Sequence, residues 1–351
     1  MKWLALVLSL TGCDALFGLD DIRTEGDAAV TTARYRKRLT VQGTGDLTAF
    51  PVLVWMTDPA LEAHADPSGR DITFTAGDGT TPLPYEIVSH DGDTIEAWVQ
   101  LTLSASPTDF YMLYGGSVVQ PKASPWTGPF VGVWHLSMPG SIELDRSSHQ
   151  NDLSSGNAPP APTQGAAGGA VTFDGTNRMC TGLGDGSLDP GMSSFSFEAW
   201  AFVPTQPTVP QVLFERGGFT DGVAGFDLEI GNGNWRGYIA DASTTLSAEL
   251  GAVTPGKWSH LVVVVDRKAS LMAAYADGAI QTTTAITLGP SINPTRPLCL
   301  GGFTSYEYRG GLDEVRIYNV ALSSRWIAAE HDNLASPSTF VIAGDEELIA
   351  P

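Results

Sequence analysis

Residues Phe195–Val203 read Phe-Ser-Phe-Glu-Ala-Trp-Ala-Phe-Val. Phe195, Phe197, Ala199, Ala201 and Val203 recur with period two, the alternation of a pleated strand, so they share one face. Trp200 and Phe202 load the other face, which makes this an internal strand covered on both sides. On its C-terminal side, Phe226–Ile230, Trp235–Ala240, Trp258–Asp266, Leu271–Tyr275 and Leu312–Tyr318 follow at the spacing of a β-sandwich. Val131–Leu136 and Ala170–Phe173 precede it as further strands. Ala321–His331 is the expected helix, with Ser323 or Ser324 as its N-cap.

The stretch before it has the same character. Leu39–Val41, Val52–Met56, Ile72–Phe74, Ile95–Leu103 and Phe110–Tyr114 read as strands, separated by the turn signals Gly43–Asp46, Asp66–Gly69, Gly77–Gly79 and Asp91–Asp93. The chain is therefore expected to be all-β, with two β-sandwich domains at residues 34–116 and 130–342. Residues 117–129 are expected as a linker and 343–351 as an acidic tail carrying Asp345, Glu346 and Glu347. Composition agrees: 351 residues hold 39 glycines and 23 prolines, and only 17% are charged against the usual ~25%.

The formal net charge is −20. A surface this acidic repels nucleic acid and anionic lipid, so no nucleic-acid partner is expected. No apolar run reaches the ~20 residues of a membrane span. Arg34–Arg38 carries four basic residues in five positions and reads as the solvated start of a strand.

Residues 1–13 read MKWLALVLSLTGC. Lys2 gives a positive start and Trp3–Leu10 a short apolar segment, the layout of an export signal. Leu10-Thr11-Gly12-Cys13 resembles the bacterial lipobox, in which the cysteine is lipidated and becomes the mature N-terminus. The resemblance implies a signal peptide at 1–12, acyl chains on Cys13 as the membrane partner, and a tether over 13–33. It places the protein in the bacterial cell envelope, periplasmic or surface-exposed, with inner and outer membrane both open. Two cysteines remain, Cys180 and Cys299. In an exported protein an even pair reads as a disulfide, with two buried thiols as the alternative.

Residues 34–116 resemble a bacterial domain of unknown function that often precedes a laminin-G-like domain. The motifs are Tyr35-Arg36-Lys37, Phe50–Val54, Gly69–Phe74, Asp78–Ile87, Ala97-Trp98-Val99 and Tyr114-Gly115-Gly116. Residues 130–341 resemble the laminin-G-like, concanavalin A-like jelly rolls of bacterial surface proteins. Here the motifs are Val171–Gly175, Phe195–Trp200, Gly256–Val262, Leu298–Gly302, Gly311–Asn319 and Ala321-Leu322-Ser323. That fold hosts lectins, adhesion modules, receptors and some glycosidases, so function has to be argued from a site.

Three constellations are candidates. Asp145–Asp152 resembles the family's Asp-x-Ser-x-x-x-Asn loop, which implies calcium held by Asp145 and Asn151. Asp313 is the expected further ligand. Strict alternation over Leu312–Tyr318 puts it on the apolar face with Val315 and Ile317, where a lone carboxylate needs a cation. Trp235, Arg236, Tyr238, Tyr306 and Tyr308 form the expected ligand surface, because aromatic faces with polar edges suit sugar rings. Asp227 and Glu229 share a strand face, as the carboxylate pair of a jelly-roll glucanase does, but Gly225 stands where that signature needs a second glutamate. No catalytic residue is assigned. His135 and His260 sit in apolar strands and read as hydrogen-bonded structural histidines. The expected function is non-catalytic binding of an envelope or extracellular ligand, most simply carbohydrate. The alternative is a structural or protein-partner-binding subunit of an envelope or adhesion complex.

Overall fold

A computed structural model describes residues 33–117, 123–137, 140–156, 158–217, 223–241, 243–287, 289, 291–302 and 306–349. Cys13 and the whole signal segment lie outside them. The first part of the chain contains β1 (Tyr35–Val41), β2 (Leu47–Thr57), α1 (Pro59–His64), β3 (Thr73–Ala76), β4 (Tyr85–Asp91), β5 (Thr94–Leu103) and β6 (Thr108–Tyr114). The second begins with β7 (Phe130–Trp134), β8 (Ile142–Glu143), β9 (Leu153–Ser155), β10 (Ala161–Gln164), β11 (Gly169–Asp174), β12 (Met179–Cys180), β13 (Phe195–Phe202), β14 (Gln211–Arg216), β15 (Gly225–Gly231) and β16 (Asn234–Ala240). It continues with β17 (Thr245–Ala252), β18 (Trp258–Asp266), β19 (Leu271–Ala276), β20 (Ala279–Ala285), β21 (Leu298–Leu300), β22 (Arg309–Tyr318), α2 (Ser324–Ala335), α3 (Pro337–Phe340) and β23 (Val341–Leu348).

These strands form four antiparallel sheets. The first sandwich pairs an outer sheet, β23-β1-β6-β3, with an inner sheet, β2-β5-β4. The jelly roll pairs an inner sheet, β10-β11-β22-β13-β18-β19-β20 with β7 also on β22, and an outer sheet, β17-β16-β15-β14-β21-β12-β9-β8. The parity of β13 places Phe195, Phe197, Ala199 and Ala201 in the core between the two jelly-roll sheets. Trp200 points the other way, into a second apolar cluster that runs from the first sandwich across the junction. β5 obeys the same rule. Ile95, Ala97 and Val99 fill the first sandwich, while Trp98 turns outward to meet Arg316 of the jelly roll.

The two sandwiches thus share a continuous core, and two segments expected as connections belong to it. Trp126, within the expected linker, is buried and packs edge-on against Trp98 and Phe130, each at a centroid distance of 5.2 Å. Burying a side chain of this size contributes roughly 1.5–3 kcal/mol or more. The expected acidic tail is strand β23, which returns from the jelly roll to pair with β1. The reason is charge complementarity in register: Arg36 lies opposite Glu347 and Lys37 opposite Glu346. The basic run is therefore paired rather than simply solvated. Arg36 meets Glu347 at 2.7 Å, Lys37 meets Asp58, and Arg38 meets Asp109.

Helix α2 starts at Ser323, whose hydroxyl accepts the Trp326 N–H at 3.2 Å, and runs a turn further than expected. Its buried face carries Trp326, Ile327, Glu330, Asn333 and Leu334, at the three- and four-residue spacing of one helical stripe. That stripe packs on β2 at the edge of the inner sheet, with Trp326 edge-on to Phe50 at 4.9 Å.

Candidate functional site

Sheet and loop edges leave a cleft of about 990 Å³ at the junction of the two sandwiches. One wall is edge strand β4 with the loop before β3; the other is the Leu144–Asp152 segment of the jelly roll. Arg70, Glu86, His90, Arg146, Gln150 and Asp152 bring donors and acceptors to both walls, and Ile87 and Val88 give a small apolar patch. Arg146 pairs with Glu86 at 3.3 Å, which ties the walls together. A volume of this order suits a ligand of a few rings.

Beneath the cleft lies a buried ionic layer between the inner sheets. Its centre is Arg316, which contacts Glu314 at 2.7 Å, Glu198 at 3.5 Å and also Glu330. The guanidinium stacks on Trp98 and Trp126, at 4.5 and 5.1 Å. His135 bridges Glu314 at 2.8 Å and Glu86 at 3.4 Å, so the layer reaches the cleft wall. Burial alone would lower the His135 pKa, but the two carboxylates outweigh it and push it up to about 10. It is a cation at neutral pH. As expected, His135 is a hydrogen-bonded structural histidine.

A β-bulge positions this layer. Opposite Trp200 stands Asp313, and opposite Glu198 stands Arg316, so β22 carries one extra residue between them. Glu314 takes up the irregularity at φ +45°, held by His135 and Arg316. The expectation that Asp313 shares a face with Val315 and Ile317 is thereby corrected. The bulge turns Asp313 to the junction, on the Trp200 side, while Val315 and Ile317 stay in the jelly-roll core. One Asp313 oxygen accepts the Ala166 N–H at 2.9 Å and the other has no partner. Burial first, then Glu314 and Glu96, drives its pKa well above the usual carboxylate range.

Of the residues expected to hold calcium, Asp145 and Asn151 share one loop, and among the described residues no hydrogen bond links either of them to Asp313. The Asp145 carboxylate accepts the N–H groups of Val133, Ser147 and Asn151 and the Ser147 hydroxyl, all at 2.8–2.9 Å. Those four bonds fill its lone pairs. Asn151 donates to Val131 and to the Ser187 hydroxyl. Asp145 is thus the organiser of its own loop, and it shares no partner with Asp313.

The expected aromatic surface is also corrected. Trp235 falls on the inward parity of β16 and lies in the jelly-roll core. Tyr308 is buried too, its hydroxyl donating to the Phe202 and Gly311 carbonyls at 2.8 and 3.0 Å. Neither ring can offer a face to a ligand. Arg236 and Tyr238 take the outward parity, where Arg236 pairs with Glu249 at 2.7 Å. Tyr306 is exposed.

Next to them, Asp227 and Glu229 are buried on the outer sheet. Burial, with Glu229 and Glu215 adding to it, raises Asp227 well above the carboxylate range. Glu229 rises to about 7 by burial against the opposing pull of Arg236. Cys180 and Cys299 stand opposite each other on β12 and β21 and form a disulfide of 2.09 Å.

The i, i+2 strand spacing lets Glu314 pair with Arg316, and they meet at 2.7 Å; what sequence reasoning missed is that Glu198 and Glu330 converge on the same guanidinium. The available signal was Glu198, the one charged residue of the strand Phe195–Phe202. Its hydroxyl partner is Tyr318, at 2.8 Å.

Residues 173–328 match a laminin G family model described as the concanavalin A-like lectin/glucanases superfamily. No curated protein matches the sequence. Among solved structures, the binding domain of Paraclostridial Mosquitocidal Protein 1 is similar over 58% of this chain and 52% of its own, with 14% identity and a TM-score of 0.50. The botulinum neurotoxin serotype G binding domain is similar over 59% and 51%, with 10% identity and a TM-score of 0.49. The chain spans about half the length of the solved chains it matches. At such identities the likeness is one of fold. Residues 173–328 form a concanavalin A-like domain within an all-β chain.

Proposed function

We propose that the protein is a non-catalytic binding protein of the bacterial cell envelope that holds a carbohydrate in the cleft between its two sandwiches. The observation that carries this reading is the cleft itself. Arg70, Glu86 and His90 on one wall and Arg146, Gln150 and Asp152 on the other present donors and acceptors, beside Ile87 and Val88, the mix of polar and apolar groups that sugar rings use. The carboxylate pair that would support hydrolysis, Asp227 and Glu229, is sealed from solvent. The Leu10–Cys13 motif supports anchoring through acyl chains on Cys13, with residues 13–33 as the tether; Cys13→Ala would then release the protein from the membrane fraction.

The test is a glycan array probed with residues 34–351, because β23 has to be kept. Saturable binding to one glycan class, lost in Arg70→Ala and Arg146→Ala, is the expected result. Silence from a folded, monodisperse sample would overturn it. A protein ligand is the second reading, favoured by Leu144, which lines the cleft and is 47% exposed, and by nearby Ile142, 60% exposed. Crosslinking in cells through a photoreactive residue at 142 would separate the two.

A further inference from the structure

His260 differs from His135. It was expected to be a satisfied structural histidine, yet it is 1% exposed and neither ring nitrogen has a hydrogen-bond partner. Its Nε2 lies 3.6 Å from Oε2 of Glu198, and that oxygen is also unpartnered. Oε2 of Glu330, brought in by α2, is unpartnered as well. Buried polar atoms are nearly always bonded, so three orphaned ones facing one point, one from each residue, call for a missing occupant. Among the described residues, Glu198, His260 and Glu330 are the His, Cys, Asp or Glu group whose ligand atoms all lie within 4.8 Å of one another.

We propose that Glu198, His260 and Glu330 bind one divalent transition ion of the zinc class at the junction between the inner jelly-roll sheet and α2. Two ligands about 2.0–2.1 Å from a tetrahedral ion stand about 3.4 Å apart, close to the His260–Glu198 separation. One imidazole and two carboxylates suit zinc and its first-row neighbours rather than calcium, which takes six to eight oxygens.

The surroundings supply an outer shell. The Tyr318 hydroxyl reaches Oε1 of Glu198 at 2.8 Å and Oε1 of Glu330 at 2.9 Å, and Arg316 approaches the same two oxygens. With both Oε1 atoms held there, Oε2 of Glu198 faces His260 and Oε2 of Glu330 is left free, the orienting role that outer-shell groups play around metals. The site does not involve the cleft and stands whether or not a glycan binds there. Its consequence is mechanical: the ion would pin α2, and through it β2, to the jelly roll.

The experiment uses the whole chain, stripped of metal with a chelator and titrated with Co²⁺ near neutral pH under visible absorption. The expected result is one equivalent of Co²⁺ with tetrahedral bands, displaced by Zn²⁺. His260→Gln should weaken binding roughly tenfold or more and abolish the bands. Glu330→Gln serves as the second variant if His260→Gln does not fold. No bands from the folded wild-type protein would overturn the proposal and leave a proton shared between the two carboxylates in the ion's place. Bands that persist in both variants would overturn it as well, assigning the ion to surface carboxylates.

Discussion

Asn333 of α2 completes the edge of the first sandwich by pairing with the backbone of Leu53. Its Oδ1 accepts the Leu53 N–H at 2.7 Å and its Nδ2 donates to the Leu53 carbonyl at 3.1 Å. A side-chain amide thus does what a neighbouring strand would do, and it closes an edge that would otherwise template pairing with another chain. Asn333→Leu keeps the branched shape, adds some bulk and loses both bonds. With a buried N–H and C=O left unmet, we expect a loss of about 1–3 kcal/mol, read as a lower urea midpoint. An unchanged midpoint would mean that water replaces the amide.

Arg316 is the counterion of a layer with no solvent to replace it. Arg316→Met removes the guanidinium that Glu198 and Glu330 share and leaves Glu314 only His135. Removing one partner from such a buried network costs about 3–5 kcal/mol. Lowering the pH should restore part of that loss, because protonation removes the repulsion. Thermal melts of the variant across the acid range would check both points.

Glu96 projects from β5 into the junction, where Gly168 at φ +73° lies against it. Burial, reinforced by Glu314, raises its pKa from 4.5 to about 7. The folded state therefore binds the proton more tightly than the unfolded chain. The resulting stability is fully present below pH 4.5 and is lost as pH rises through about 7. Glu96→Gln mimics the protonated form, so its advantage over the wild type should grow from mildly acidic to mildly alkaline pH. A pH-independent difference in melting temperature would contradict this origin.

Ending the chain after Phe340 removes β23 and uncovers the β1 edge. Arg36 and Lys37 lose the strand that faces them, and Tyr114 loses its 2.7 Å bond to Glu346. The first sandwich should melt before the jelly roll, giving two calorimetric transitions, with early proteolysis confined to residues 34–116. A single transition at the wild-type temperature would show that β23 is dispensable.

Local pattern settled the all-β class and the parity of individual strands. Phe195–Phe202 shows why: a strand alternates by covalent geometry, so one apolar residue in two is enough to read both faces. The same parity in β5 separates Ile95, Ala97 and Val99 from Trp98. The C-terminal acidic segment was legible only as charge. Its place beside β1 depends on a basic strand some three hundred residues earlier, and no local signal encodes that meeting. Asp313 was misread because one bulge residue, Glu314, reverses the alternation, and what holds a bulge is the partner strand and the groups around it. Trp235 and Tyr308 carry the same side chains that line sugar sites; only the packing of two sheets decided that they belong to the core. The ionic layer around Arg316, the junction cleft and the orphaned atoms of His260 arise where two sandwiches press together. Burial, and hence the cost of an unpaired charge, is a property of that contact and not of any segment taken alone.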